Sequence, residues 1–586
     1  MISPMTQNLL ERASACIKAR DFASADPLVA QVLRQDSKNL QGLCYQAIIA
    51  AETGRKELAL TVIKQAMKLG PNNPGVLNNA AAVFFKCGQP ARASQLWEKV
   101  IEMRPQAVEA RWNLARYLLR EEGDYDAAEK HIRTVLEQAP DHPTANISLG
   151  NLLKNSGRTE EGMVFYREGT RRHPGNMNGW SSYLFTMHFD PASSPERIYR
   201  EHAEWGRKLE ESIPQVLRHD NEAAPGRRLR VGYVSPFFRR HVLGHNLMPL
   251  LRKHDHARFE IFCYSDVHQE DDFTEQLRRF TDRWCVTEKM TDAELAKQVA
   301  EDKIDILVDL NMNMKGTRLG VFARKPAPVQ VAFLAYPGTT GLKRMDYRLT
   351  DPVLDPPGTD GLYTEQSVRL ETFWCFEPLA GCPVVGPLPA DANGYVTFGC
   401  LNNFNKVNAG VLESWREVLA AVPRSRIMLM PPKGKTIAWL VEKLNVDPAR
   451  LECRPKQKPL EYLALYNQID LALDPFPYTG HTTTLDGLWM GVPLVTRTGS
   501  TTVSRGSSSI LTNLGLPELV TTTKDDYVKL AVQLANDLPR LRELRSSLRA
   551  RMEKSVLMDA ERCARKLEAA YRMMWGKWCE AQSATT

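Results

Sequence analysis

A run of glycines and hydroxyl residues after an apolar strand is the strongest chemical signal in the sequence. From Pro475 to Gly491 it reads PFPYTGHTTTLDGLWMG, and a helix is predicted to begin at Thr482. Threonine is a favourable N-cap residue, and the free backbone N–H groups at a helix start bind anions. The helix start with its flanking hydroxyls is therefore predicted to be an anion site suited to a diphosphate, and Asp486 lies one turn further on, where a carboxylate could meet ribose hydroxyls. The alternative is an ordinary capped helix without a ligand.

A second polar loop carries a lysine. The segment FGCLNNFNKVN follows another predicted strand and ends before a helix that begins near Ala409. The compact ammonium of Lys406 suits the charge of a phosphate leaving group. An isolated lysine is commonly solvated, but the asparagines beside it, Asn403 among them, favour a site because they stand at the carboxyl end of a strand.

Two further loops follow predicted strands. In RVGYVSPFFRRHVLGH, His241 is a candidate acid, base or acceptor contact, and a histidine packed at a helix start is the alternative. His245 is four residues further on, as a second metal ligand can be, but no carboxylate motif accompanies the pair and we predict no metal site. In LAYPGTTG, the residues after Tyr336 either bring backbone N–H groups close to a ligand or only form a turn.

The elements that must position these loops alternate between short apolar runs and helical stretches from Leu229 onward. Such alternation predicts parallel sheets with helices on both faces. The strands are predicted in two series, at residues 229–234, 259–264, 306–310 and 329–334, and at residues 395–399, 426–430, 471–474 and 493–496. A Pro- and Gly-rich segment separates the series. Two Rossmann-like lobes would place all four loops at the carboxyl ends of strands, where open α/β sheets bind ligands.

The first 190 residues contain a repeat. Glycines at positions 54, 88, 123 and 157 are 34, 35 and 34 residues apart, and prolines at 71, 105, 140 and 174 keep the same spacing. This spacing is typical of tetratricopeptide (TPR) helix–turn–helix units. One earlier unit is degenerate, with Arg20 and Ser37 in place of glycine and proline. Stacked units form a solenoid whose concave groove could hold a peptide or protein; self-association and structural support are the alternatives.

The sequence thus predicts an α-helical solenoid followed by an α/β unit. The predicted domains are TPR-like repeats at 1–190, a capping helix and linker at 191–227, a first lobe at 228–385 and a second lobe at 390–580. The length of 586 residues is consistent with several domains.

Composition narrows the class of protein. A net charge of +7 is mild for this length and fits an anionic ligand but does not indicate nucleic-acid binding. The eleven cysteines are scattered without a CxxC pair, which favours reduced thiols in the cytoplasm. No signal peptide or transmembrane segment is predicted.

These motifs resemble the O-GlcNAc transferase family, in its bacterial form with a short TPR array. The resemblance covers the whole chain, through the repeats, RVGYVSPFFRRHVLGH, APVQVAFLAYPGTTG, CLNNFNK and TGHTTTLDGLWMGVPLVT. It implies a GT-B fold of two Rossmann-like lobes. It also implies inverting, metal-independent transfer of GlcNAc from UDP-GlcNAc to Ser or Thr of a protein presented by the TPR groove, with no cofactor.

The resemblance also implies individual roles. Lys406 would neutralise the departing diphosphate, and His241 would lie near the acceptor as a weakly supported candidate base. The residues implied in donor binding are Thr482 and Thr483 at the phosphates, Asp486 at the ribose, Asn403 beside the lysine, and His481 with Tyr336, Pro337 and Gly338 around the sugar. The metal-binding motif Asp-x-Asp occurs at Asp124-Tyr125-Asp126, beside a repeat turn. It is predicted to be part of that turn and not a metal site.

Two departures from the family pattern bear on which nucleotide-sugar is the donor. Tyr478-Thr479 stands where the animal enzymes have Cys-Asn, and Tyr462 replaces a histidine that stacks on uracil, although a tyrosine can stack as well. Both tyrosines are predicted to contact the donor. A sister group, the Spindly-type O-fucosyltransferases, uses GDP-fucose and shares the DPFPY spelling but typically lacks the Gly-His pair, so Gly480-His481 favours UDP-GlcNAc. A non-catalytic TPR scaffold with a nucleotide-sugar-sensing lobe is the alternative of a different class.

Overall fold

The computed structural model describes residues 3–215 and 218–584. Its N-terminal part is a series of antiparallel helix pairs, which confirms the predicted repeat array. The helices are α1 (Pro4–Lys18), α2 (Phe22–Gln35), α3 (Leu40–Glu52), α4 (Lys56–Leu69), α5 (Pro74–Lys86), α6 (Pro90–Met103), α7 (Val108–Tyr117), α8 (Tyr125–Gln138), α9 (Ala145–Asn155), α10 (Thr159–Arg172), α11 (Met177–Met187) and α12 (Pro195–Glu211).

The turns within the repeats have the backbone that their spacing predicts. The four periodic glycines have φ between 66° and 85°, a region that glycine enters without steric cost. In the degenerate first unit, Arg20 adopts φ 60° at the same position. The turn conformation is therefore kept at Arg20 although glycine is absent there, and the repeat array begins before the first glycine of the series.

The chain divides into two compact units. One ends at Leu152 and also includes Lys433–Lys435, and the other contains the remainder, with α10, α11, α12 and both lobes. Helix α12 falls in the segment predicted to cap the array, and residues 216 and 217 of the predicted linker lie outside the described residues.

The first lobe is a seven-stranded parallel sheet in the order β3-β2-β1-β4-β5-β6-β7. Its strands are β1 (Leu229–Ser235), β2 (Phe259–Ser265), β3 (Arg283–Val286), β4 (Ile306–Asp309), β5 (Val329–Ala332), β6 (Tyr347–Thr350) and β7 (Gln366–Arg369). Its helices are α13 (Val242–Lys253), α14 (Asp272–Arg278), α15 (Asp292–Glu301) and α16 (Leu319–Phe322). The four predicted strands are confirmed. The edge strands β3 and β7 escaped prediction because neither contains a fully buried residue.

The second lobe is a six-stranded parallel sheet in the order β10-β9-β8-β11-β12-β13. Its strands are β8 (Thr397–Cys400), β9 (Arg426–Leu429), β10 (Leu451–Cys453), β11 (Leu471–Leu473), β12 (Leu494–Arg497) and β13 (Val520–Thr521). Its helices are α17 (Pro389–Asn393), α18 (Ala409–Ala421), α19 (Thr436–Leu444), α20 (Pro459–Leu465), α21 (Thr482–Trp489), α22 (Gly506–Asn513), α23 (Lys524–Ala535), α24 (Leu538–Glu553) and α25 (Ala560–Ser583).

Both sheets reverse their strand order at one point, between β1 and β4 in the first lobe and between β8 and β11 in the second. Ligands of open α/β sheets bind outside the carboxyl ends of the strands at such a switch point. The loops that carry His241, Lys406 and His481 follow β1, β8 and β11, respectively. The predicted loops therefore meet the topological rule for a ligand site.

Polar contacts join the two lobes. The Trp374 indole N–H donates to Ser509 Oγ at 3.0 Å, and the Arg505 guanidinium donates to the Leu354 carbonyl at 2.5 Å. Helix α25 returns from the second lobe to the first, where Tyr571 lies 3.2 Å from the hydroxyl of Tyr233. These contacts link the first lobe to the second directly and through α25.

The turn after Tyr336 packs against α12 through glycine. Gly341 has φ 83°, and a Cβ there would lie 2.1 Å from the carbonyl oxygen of His202. Replacing Gly341 with alanine is expected to lower the free energy of unfolding by about 2–5 kcal/mol, because left-handed strain and overpacking add. Gly358 has φ 95° with open space around it, so Gly358→Ala isolates the backbone cost of about 1–2 kcal/mol. Equal shifts of the two urea-unfolding midpoints would contradict the packing argument.

Among residues 3–215 and 218–584, no helix is long and apolar enough to cross a membrane. All eleven cysteines are free thiols.

Candidate active site

Lys406 lies in a short turn (Phe404–Lys406) directly after β8. Its ammonium donates to the carbonyl oxygens of Thr479 at 2.5 Å and Gly480 at 3.3 Å, and lies 4.4 Å from the centre of the Tyr478 ring. Burial lowers the pKa of Lys406 to about 8, although the nearby charge of Asp474 opposes the shift. The lysine is thus a desolvated cation held against the loop that precedes α21.

Hydrogen bonds between two strand-end loops fix this arrangement. Asn408 Nδ2 donates to the Phe476 carbonyl at 2.5 Å, and Thr483 Oγ1 donates to Asn402 Oδ1 at 2.6 Å. Neither Asn402 nor Asn408 was among the predicted site residues. Asn403, which was predicted, is exposed beside the lysine turn. The loops after β8 and β11 therefore form one polar site, as their positions in the sequence predicted.

Helix α21 begins at Thr482, as predicted, but the N-cap residue is His481 and not a threonine. Its side chain makes no capping bond, because His481 has φ 53° and ψ −115°, a strained backbone for any residue but glycine. In the described part of the chain, neither the amide nor the hydroxyl of Thr482 has a hydrogen-bond partner. The hydroxyl of Thr483 already has two acceptors for its hydrogen, Asn402 Oδ1 and the Gly480 carbonyl, each at 2.6 Å. Thr482 is thus the more available of the two for a phosphate.

His481 is buried behind the helix start. Its Nε2 lies 3.1 Å from the Val503 carbonyl, and its ring packs against Trp374 and Tyr478. Burial, helped by the positive charge of Lys406, lowers its pKa to about 3. His481 is therefore a neutral imidazole whose Nε2 carries the hydrogen that it donates to Val503.

Asp474 and Ser507 belong to the site and were missed. Asp474 directly follows β11 and accepts a hydrogen bond from Thr496 at 2.7 Å, and burial raises its pKa to about 6. Ser507 accepts from the Gly480 amide at 3.2 Å. The sequence contained a signal for Ser507, because the polar stretch TTVSRGSSS follows predicted strand 493–496 just as the other loops follow theirs.

Asp486 and Tyr462 are brought together on the second lobe. The Tyr462 hydroxyl donates to Asp486 Oδ2 at 3.3 Å and lies 2.9 Å from the hydroxyl of Tyr466. Burial raises the pKa of Asp486 to about 7. Asp486, predicted to contact the ribose, and Tyr462, predicted to contact the base, therefore belong to one hydrogen-bonded cluster.

His241 is the N-cap of α13, at the end of the loop after β1. Its Nδ1 accepts the Leu243 amide hydrogen at 3.2 Å, and its ring stacks on Phe237. Burial, followed by the charge of Arg239, lowers its pKa to about 4. Because Nδ1 is an acceptor, the neutral ring carries its hydrogen on Nε2. This geometry favours a hydrogen-bond donor and weakens the predicted role as a base.

Tyr336, Pro337 and Gly338 are buried beneath the last repeat helices. The Tyr336 ring packs against Phe185 of α11 and His188, with ring centres 5.0 Å apart in each case. The Gly338 carbonyl accepts a hydrogen bond from buried Arg348 at 2.8 Å. The loop thus connects α11 to the first sheet, and its predicted contact with a sugar remains a prediction.

An aromatic stack links α11 to Lys406. Phe189, just after α11, stacks on Tyr478 with ring centres 4.6 Å apart and planes 16° apart. Tyr478 in turn lies under the ammonium of Lys406. The sequence contains no signal for this role of Phe189. A phenylalanine that packs within a repeat and one that packs on another domain have the same local sequence pattern.

The Asp-x-Asp spelling is a helix cap. Asp124 is the N-cap of α8 and accepts a hydrogen bond from the Ala127 amide at 3.0 Å, which confirms the predicted turn chemistry. Within the two described segments, no group of three His, Cys, Asp or Glu residues is arranged to hold a metal ion.

Profile comparison connects this site to a family. The profile of glycosyl transferase family 41 matches residues 209–375 and 386–567, which together make up more than half of the chain. The chain belongs to glycosyl transferase family 41. Tetratricopeptide profiles match residues 10–74, 79–122 and 119–181. The predicted family resemblance and the architecture of TPR repeats followed by two α/β lobes are therefore confirmed.

Several relatives of this family 41 chain carry functional names. It is 36% identical over 434 residues to a rice (Oryza sativa subsp. japonica) protein named probable UDP-N-acetylglucosamine–peptide N-acetylglucosaminyltransferase SPINDLY, a match that covers 71% of this chain and 46% of the other. It is 25% identical over 477 residues to a Caenorhabditis elegans UDP-N-acetylglucosamine–peptide N-acetylglucosaminyltransferase, with coverages of 60% and 41%. The chain thus spans about half the length of the curated relatives it matches.

A solved structure of a Thermobaculum terrenum O-GlcNAc transferase variant is similar over nearly its full length. The TM-score is 0.80 at 35% sequence identity, and the match covers 87% of this chain and 98% of that one. The two-lobed fold with a preceding helical array is therefore shared with this O-GlcNAc transferase.

Proposed function

We propose that this chain transfers a sugar from a nucleotide-sugar to a serine or threonine hydroxyl of a protein, with inversion at the anomeric carbon and without a metal ion. The observation that carries the proposal is the position of Lys406. Its buried ammonium contacts the Thr479 and Gly480 carbonyls directly before the uncapped start of α21. A diphosphate at that helix start would find a cation, an unpaired amide and the free Thr482 hydroxyl together.

The proposed reaction needs this charge when the donor bond breaks. The acceptor oxygen forms a bond to the anomeric carbon while the bond from that carbon to the phosphate oxygen breaks. The nucleoside diphosphate leaves with the electron pair, and the proton of the hydroxyl passes to water. Positive charge that is already in place where negative charge develops lowers the barrier. Lys406 and the start of α21 supply that charge, so the proposal includes no metal ion. Nε2 of His241 carries a hydrogen, and we assign it to hydrogen bonding with acceptor or sugar.

For the donor we propose UDP-GlcNAc. The Gly480-His481 pair supports it, since His481 is held by Val503 and Trp374 next to the phosphate-binding turn, and the relatives named above carry N-acetylglucosaminyltransferase names. GDP-fucose is the second candidate. One argument for GDP-fucose is the DPFPY sequence motif, which Spindly-type enzymes share. Another is the size of Tyr478, whose buried ring occupies the space between Phe189 and Lys406.

For the acceptor we propose a protein or peptide that the TPR groove binds. Helical repeats of this kind present extended concave surfaces to their partners. A non-catalytic scaffold that only senses a nucleotide-sugar is the competing function. The two differ in turnover, because a scaffold would bind the donor without consuming it.

A ligand panel tests donor and metal together. Purified protein is heated with UDP, GDP, UDP-GlcNAc or GDP-fucose in the presence of EDTA, since a bound ligand raises the midpoint as its concentration rises. We expect the uridine compounds to stabilise the protein, and UDP-GlcNAc to be consumed with a peptide mixture. A preference for guanine nucleotides would transfer the proposal to GDP-fucose. Donor binding without turnover would favour the scaffold.

Donor affinity is expected to fall as the pH rises above 8. In the free protein the pKa of Lys406 is about 8 because the ammonium is buried, and only the protonated form pairs with a diphosphate. Affinity for UDP-GlcNAc should therefore be full below pH 7 and about tenfold weaker at pH 9. Calorimetric titration with UDP-GlcNAc at pH 7, 8 and 9 measures this change in affinity. Lys406→Arg keeps its charge throughout this range, and an equal pH dependence in that variant would locate the titration elsewhere.

A further inference from the structure

Lys154, near the end of α9, is a buried lysine whose ammonium has no partner among residues 3–215 and 218–584. Its side chain is 8% exposed, and its Nζ lies 5.9 Å from the ring centres of both Phe185 and Phe189. It thus reaches from the first helix of one repeat to the first helix of the next. Within the described segments of the chain, its ammonium forms no hydrogen bond and no ion pair.

A lysine this little exposed, with no partner for its ammonium among the described residues, is unusual because its desolvation is uncompensated. Lys325, equally buried at 9% exposure, pairs with Asp346 and donates to the Arg344 carbonyl at 3.1 Å. Lys406 also has two carbonyl partners. Burial lowers the pKa of Lys154 to about 8, and no neighbouring charge opposes the shift. Ring faces attract a cation only weakly at this distance, so they do not replace an anion.

Lys154 lies beside the candidate active site. Phe189, which it approaches, stacks on Tyr478, the ring that also contacts Lys406. The turn after α9 packs on the lysine loop, since a Cβ at Gly157 would lie 3.1 Å from the Phe404 ring and 3.3 Å from the Val407 carbonyl. The groups expected at the diphosphate come from the second lobe, whereas both rings near Lys154 belong to the repeat region. Lys154 therefore stands on the repeat side of the Phe189–Tyr478 stack.

We propose that Lys154 binds a carboxylate of the acceptor protein close to the hydroxyl that is modified. The chain would then select acidic acceptor segments, in which a Glu or Asp side chain supplies the negative partner for the Lys154 ammonium. The inference rests on the proposed transfer to a protein. A carboxylate is favoured over the donor's diphosphate, because no phosphate-binding residue of the second lobe contacts Lys154.

Matched variants and peptides test the proposal. Synthetic peptides with one serine or threonine carry Glu, Gln or Lys at each flanking position, and kcat/KM for transfer is measured for each. We expect the wild-type protein to prefer Glu at one position by about tenfold or more. Lys154→Met should lose this preference, and Lys154→Glu should reverse it toward Lys. Lys64→Met, which removes an exposed lysine from α4, should behave as wild type.

Separate readouts distinguish the outcomes. UDP affinity should be unchanged in Lys154→Met, and its thermal midpoint should not fall, since an unpaired buried charge is replaced by an apolar chain. Loss of UDP affinity as large as in Lys406→Met would place Lys154 in the donor site and overturn the proposal. An unchanged Glu preference would also overturn it. If the wild-type protein transfers nothing, the proposed function fails, and fluorescence anisotropy of labelled Glu and Gln peptides still measures whether Lys154 selects the carboxylate.

Discussion

Replacement of Lys406 with methionine is expected to lower kcat for transfer by about 10²–10³-fold, the usual effect of removing one preorganised charge from a developing anion. Methionine keeps most of the side-chain volume above the Tyr478 ring but removes the charge that contacts Thr479 and Gly480. The start of α21 would remain as the only positive group at the diphosphate, so residual activity should persist. Single-turnover transfer at pH 7 with EDTA measures the effect on chemistry.

Two controls define this result. Lys524→Met removes a cation from the surface of the same lobe, where it pairs with Glu413 and Glu417, and should leave kcat unchanged. Lys406→Arg should retain donor binding but recover transfer only in part, since the planar guanidinium cannot place its charge as compactly. Activity of Lys406→Met within threefold of wild type, or turnover that requires added manganese, would refute the proposed charge arrangement.

Replacement of Gly506 with alanine is expected to lower kcat/KM by about 10²-fold while UDP affinity changes little. A Cβ at Gly506 would lie 2.1 Å from His481 Cδ2 and 2.2 Å from its Nε2. Helix α22 is buried along most of its length and cannot withdraw, so the imidazole must leave its contact with Val503. A shift of about 1 Å at a positioning group is enough for a loss of this size.

Comparison with a second helical glycine isolates this steric effect. Gly576 lies in α25 with open space around its Cβ position, so Gly576→Ala should be neutral or slightly stabilising. In Gly506→Ala, steady-state kinetics should show the loss with the complete donor, and calorimetry with UDP alone should match wild type. Equal losses of UDP and UDP-GlcNAc affinity would indicate that His481 does not border the sugar.

The sequence predicted the parts of the site that depend on local pattern. A glycine at each repeat turn, apolar runs in two series and polar loops after four of those runs are properties of neighbouring residues, and the structure contains each of them. Lys406 and Thr482 were selected because they follow strands β8 and β11, whose carboxyl ends meet at the switch point of the second sheet. His481 was selected through the family resemblance. Parallel topology converts that local order into proximity.

Only the tertiary structure decided how those residues act. The cap of α21 is His481 because the loop bonds to Val503 and Ser507 from a distant segment. The tautomer of His241 follows from the hydrogen bond it accepts, and the stack of Phe189 on Tyr478 joins residues 289 positions apart. Lys154 is one basic residue among many in the sequence, and it becomes informative only because the fold buries it and places no partner for its ammonium among the described residues. Burial, pKa and side-chain partners depend on contacts across the fold, whereas helix, strand and turn depend on spacing along the chain, and this difference sets what the sequence determined alone.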